Sequence, residues 1–125
     1  MVKKILVLAV VAAFIVVLAN CSTPNNRYYI KYEAQSTGYS SDDLHVTVNT
    51  ERGSQEFCVG NSYSETFGPV KRNFHAKIQA YRRGANTNVR IYVCKGNEEF
   101  VLKANGSSMY SGESNPASAE CWVDF

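Results

Sequence analysis

The chain has 125 residues, 45% of them hydrophobic, with thirteen Lys and Arg against eleven Asp and Glu. Two of the cations, Lys3 and Lys4, fall within the first twenty residues, so the remaining 105 residues carry eleven charges of each sign. That length is enough for one domain, and its balanced, interspersed charge gives no basic footprint for nucleic acid.

After Lys3 and Lys4 comes an uncharged apolar run from Ile5 to Ala19. As a helix it would rise about 22 Å, at roughly 1.5 Å per residue, where a bilayer core is about 30 Å thick. It is short for a permanent span and fits the apolar region of a secretory signal peptide. Leu18-Ala19-Asn20-Cys21 comes next and resembles the lipobox of bacterial lipoproteins, in which the signal is cut before a cysteine that receives diacylglycerol. Leu18 and Ala19 match that pattern, whereas Asn20 stands where Gly, Ala or Ser is usual. The resemblance implies lipidation at Cys21 and a stable hold on the membrane, since acyl chains contribute about 0.8 kcal/mol per buried methylene. Ser22 replaces the aspartate of the inner-membrane retention signal, which in a Gram-negative cell favours the outer membrane. Residues 1–20 then form the signal-peptide helix, 21–26 a lipidated tether containing Pro24, and 27–125 the domain.

Within the domain the periodicity is that of strands. Tyr28, Ile30 and Tyr32 alternate with polar neighbours, as do Leu44, Val46 and Val48, the run Phe74–Ala80, and Val89, Ile91 and Val93. The tail Cys121–Phe125 closes the set. Glu51-Arg52-Gly53-Ser54 and Lys95-Gly96-Asn97-Glu98 read as hairpin turns, and Gly68-Pro69 as a bend where strand pairing stops, because proline has no N–H to give. The stretch Asn105–Ser118, rich in Ser, Gly and Asn, reads as a long mobile loop. Seven or eight short antiparallel strands at this spacing predict an all-β, two-sheet sandwich of immunoglobulin-like type, with a small barrel as runner-up.

The runs Glu65-Thr66-Phe67-Gly68-Pro69-Val70-Lys71-Arg72-Asn73-Phe74 and Arg90-Ile91-Tyr92-Val93 look like a group of small, mostly uncharacterised lipoproteins of Gram-negative anaerobes. More distantly, the order of elements is similar to the MmpS-type transport accessory family. Those are membrane-anchored immunoglobulin-like sandwiches that assist lipid exporters. The likeness spans most of residues 28–125 through structural motifs, and it implies a sandwich fold and an accessory role.

The residue types point away from catalysis. His45 and His75 occupy polar phases of two different strands, no H-x-H or C-x-x-C spacing suggests a metal site, and no nucleophile stands in a recognisable elbow. Asp42-Asp43 reads as a turn cap, and Arg82-Arg83 beside Gly84 as a solvated turn. With Cys21 lipidated, three cysteines remain. Cys58 and Cys94 share an outward phase and form the candidate disulfide, while Cys121 shares a face with Val123 and Phe125. Tyr29, Tyr81, Tyr92 and Trp122 fall on nominally wetted faces and form a candidate surface for an envelope protein or glycan. Their bland alternative is simple strand propensity. The resulting expectation is a non-catalytic, lipid-anchored envelope module without cofactor. The alternative is an inhibitor or defence protein that blocks a hydrolase through a loop such as Asn105–Ser118, with Met109-Tyr110 as its protruding pair.

Overall fold

A computed structural model describes residues 27–123, so the signal-peptide helix, Cys21, the tether and Phe125 lie outside the described residues. Eight strands run in order: β1 Tyr28–Thr37, β2 Leu44–Thr50, β3 Gly53–Val59, β4 Ser62–Val70, β5 His75–Tyr81, β6 Asn86–Lys95, β7 Val101–Ser108 and β8 Ala117–Trp122. They form two antiparallel four-stranded sheets, in the orders β4-β1-β6-β7 and β3-β2-β5-β8. This is the all-β two-sheet sandwich that the strand spacing predicts. Its connectivity adds detail, because an immunoglobulin constant domain groups its first, second, fifth and fourth strands in one sheet.

Alternation builds the core. Ile30, Tyr32 and Ala34 of β1 face Leu44, Val46 and Val48 of β2, Ala76, Ile78 and Ala80 of β5, and Val89, Ile91 and Val93 of β6, all essentially buried. Burying a side chain of this size stabilises by about 1.5–3 kcal/mol. Tyr32 spans the layers: its hydroxyl donates to the Asn49 carbonyl at 2.7 Å and accepts the Lys77 N–H at 3.2 Å. Burial pushes that phenol far above its usual range.

Two expectations about irregular segments are corrected. Pairing does not stop at Gly68-Pro69. Strand β4 bulges there by one residue, so that Ile30 faces Phe67 while Tyr28 faces Val70. A proline is tolerated because β4 is an edge strand and the bulge needs no donor from it. Gly68, at φ +145°, lies so close to Tyr29 that a Cβ would stand 2.6 Å from the ring.

The second correction concerns Asn105–Ser118. Residues 105–108 complete β7 and residues 117–118 begin β8, which leaves a connection of only 109–116. Gly106 serves a close approach between sheets, since a Cβ there would run into the Ser118 carbonyl.

The antiparallel order sorts the connections onto two poles. Loops 38–43, 60–61, 82–85 and 109–116 gather where β1 ends, while the turns at 51–52, 71–74 and 96–100 gather where β1 begins. The ten residues of β1 separate the poles by about 33 Å.

Candidate functional site

The loop pole is held by one buried hydroxyl. Ser111, 1% exposed, accepts the Arg82 N–H at 3.0 Å, and its own proton can reach the Ala85 carbonyl at 2.8 Å or the Arg82 carbonyl at 3.1 Å. Thr87 Oγ1 lies 2.8 Å from the same oxygen. The Ser111 backbone exchanges further bonds with Ala85 and Gly84, and Gly112 and Asn115 bond each other in both directions. Arg82 clasps the neighbouring loop, donating to the Asp42 carbonyl at 2.8 Å, the Ser40 carbonyl at 3.1 Å and Ser36 Oγ at 3.3 Å. It is a structural clasp, not the solvated turn residue that its pairing with Arg83 suggests.

On this braced frame three large side chains stand in solvent: Tyr39 at 95% exposure, Met109 at 70% and Tyr110 at 76%. Tyr110 takes a positive φ of 51°, and its N–H bonds Asn86 Oδ1 at 3.2 Å. Fixed backbone with exposed aromatic tips resembles the way loops on a rigid sandwich carry binding.

The four aromatics expected to share a binding face do not. Tyr29 is 1% exposed, because the β4 bulge lays Gly68 against its ring. Tyr92 belongs to the other strand of the same pairing, with the Lys31 ammonium 4.5 Å from its ring centroid. Tyr81 and Trp122 lie on the opposite sheet, near its two ends. Each stacks on a histidine: Tyr81 on His45 with centroids 4.7 Å apart, Trp122 on His75 at 4.3 Å. Both imidazoles also meet a carboxylate, Asp42 at 3.3 Å and Glu120 at 3.2 Å.

The expected Cys58–Cys94 bridge is corrected as well. Cys58 sits in β3 of one sheet and Cys94 in β6 of the other, each on the phase opposite the core, and both thiols are free. Sheets pack about 10 Å apart, so outward thiols diverge beyond the reach of a bridge. Cys121 is free and packs against the core beside Val123. Burial pushes both the Cys94 and Cys121 thiols up.

Cys58 has a different partner. Its Sγ lies 3.2 Å from His45 Nδ1, and His45 Nε2 lies 3.3 Å from both Asp42 oxygens. Partial burial would raise the Asp42 carboxyl, but hydrogen bonds from His45 and the Asp43 backbone, with the charges of His45 and Arg83, hold it below the usual carboxylate range. Reading the histidines strand by strand misses this constellation. The sequence does carry a signal for it: the turn at Glu51-Arg52 pairs Thr50 with Gly53, and that register sets His45 opposite Cys58. Nothing in the sequence marks Ser111.

Among the described residues, no group of three or more His, Cys, Asp or Glu is placed to hold a metal ion. A shallow cleft is lined by Glu33, Gln35, Tyr63, Asn88 and Arg90, which come from β1, β4 and β6. No family model matches this chain, and no curated protein or solved structure matches it significantly.

Proposed function

We propose that this chain is a lipoprotein of the cell envelope, anchored to the outer membrane through Cys21, which acts as a non-catalytic binding or accessory module. Its loop pole engages an envelope protein or glycan. One observation carries the reading: Tyr39, Met109 and Tyr110 stand exposed on loops tied together by Ser111 and Arg82, at the pole opposite the start of β1. Rigid aromatic side chains supply contact area at low entropic cost, and an unbranched methionine adapts its shape to a partner. The likeness to MmpS-type accessory proteins lends slight further weight to a transport role.

A second reading, an inhibitor inserting Met109-Tyr110 into a hydrolase cleft, is favoured by the bracing of loop 109–116. That connection is shorter and better fixed than its composition suggests. Inhibition of a purified envelope hydrolase by the native chain, lost in Tyr110→Ser, distinguishes it from simple docking.

The test uses a photo-crosslinking amino acid in the intact envelope. Placed at position 110, it should give a discrete adduct that weakens in Ser111→Ala, whose loops have lost the bonds of the buried hydroxyl. An adduct from position 122 with none from 110 would put the binding face at the wrong pole. In the same cells Cys21→Ser should leave unprocessed precursor or free the domain from the membrane. Normal processing and membrane retention of that variant would end the anchoring claim.

A further inference from the structure

Asp42, His45 and Cys58 meet in a fixed order on the outer face of β3-β2, beside the loop pole. The tautomer is set by the neighbours. An ionised Asp42 only accepts, so His45 carries its proton on Nε2 and turns the Nδ1 lone pair toward the Cys58 thiol. The Tyr81 ring, tilted only 18° from the imidazole, fixes the plane in which that lone pair points. Nucleophile, base and orienting acid thus stand in the relation that activates a thiol. Other ionisable groups nearby are Arg83, which faces both Asp42 and Tyr81, Glu113, which faces Tyr81, and Glu56, on the same strand face as Cys58. Cys58 is exposed, whereas Cys94 is buried and Cys121 turns toward the core.

We propose that Cys58 is the nucleophile of a thiol–disulfide exchange site, with His45 as the base that takes its proton and Asp42 as the positioning residue behind it. The ligand class is an accessible disulfide. In the step, the Cys58 proton moves to His45 Nδ1 and the thiolate attacks one sulfur of R–S–S–R′. A bond from Cys58 to that sulfur forms as the R–S–S–R′ bond breaks. The leaving R′–S⁻ departs with the electron pair and takes the proton from the imidazolium. One thiol and one disulfide give one mixed disulfide and one thiol, so no outside oxidant is consumed. Exchange suits this open sheet face because the displaced sulfur carries its own charge, whereas acyl transfer relies on preorganised oxyanion donors.

The two other thiols among the described residues decide the fate of the mixed disulfide. Cys94 is in the other sheet and Cys121 points into the core side of its own, so neither can attack the new bond. The mixed disulfide persists until an external thiol arrives, which makes Cys58 a covalent capture point and not a cycling oxidoreductase. This stands whether or not the loop pole docks a partner.

Oxidised glutathione is the probe, with the full-length protein in detergent at pH 6.5 and 8.5, acid quench, and peptide mapping. Among Cys58, Cys94 and Cys121, glutathione should appear on Cys58 alone. At pH 6.5 an ordinary free thiol is only about 1% ionised, so a base that takes the proton as the sulfur attacks matters most there. The native rate at that pH should run roughly tenfold or more above His45→Gln. The ratio should shrink toward one at pH 8.5, and Asp42→Asn should fall between the two. If His45→Gln exposes Cys94 or Cys121 to modification it has lost its fold, and the isosteric Asp42→Asn then decides. Equal rates for the native protein and the deciding variant at pH 6.5 overturn the proposal, as does native labelling of Cys94 or Cys121 ahead of Cys58.

Discussion

Glu65 shows how an edge strand places a charge. It lies on the inward phase of β4 between Tyr63 and Phe67, yet remains open to solvent at the rim. Inward charges of this kind discourage a second chain from pairing with a free edge. Partial desolvation raises its carboxyl above the usual value. A raised acid favours the folded state while protonated. The benefit is complete below the ordinary glutamate range and disappears as pH climbs through the raised value. Solvent access keeps the effect small. Glu65→Gln should therefore leave thermal stability unchanged near pH 3 and raise it at pH 7 by about 0.5 kcal/mol, roughly 2–4 °C in Tm. A variant that gains nothing at pH 7, or gains equally at pH 3, would show that desolvation does not govern this residue.

At the scale of elements, β7 carries the sharpest constraint. Its Asn105-Gly106-Ser107-Ser108 run has turn composition but strand geometry, because Gly106 lets β7 of one sheet lie against the Ser118 backbone of β8 in the other. Gly106→Ala should destabilise by about 1–3 kcal/mol through overpacking, read as a lower urea midpoint at unchanged slope. An unchanged midpoint would mean that the two strands part without cost. The same segment marks the limit of what is legible in the sequence. Strands with clean alternation, such as Val89–Val93 and Phe74–Ala80, announce themselves because one face is wholly apolar. β7 does not, since its glycine answers a backbone contact with a strand that comes later in the chain. Tyr29 escapes for the same reason: strand phase alone puts it outside, and a bulge about forty residues away covers it. The Cys58–His45 pair is within reach, given the hairpin register. The Ser111 brace is not, because it depends on three loops meeting at one pole.

At the scale of the whole molecule, β1 is both the first strand and an interior one, paired along its length with β4 and β6. The chain enters at one pole and the exposed loops stand at the other. A load applied between the start of β1 and the loop pole therefore runs along β1 and not across it. Antiparallel ladder bonds lie perpendicular to the strands, so such a load shears seven registered pairs with β4 and ten with β6 together. The turn at 96–100 sits at the same pole as the start of β1, and a pull between those points would open the β1–β6 ladder one rung at a time. Single-molecule pulling from position 27 to position 110 should thus need clearly more force than pulling from position 27 to position 97, and equal forces would contradict the geometry. Under the proposed anchoring at one end and docking at the other, the sandwich would be loaded in the direction in which its central strand resists most.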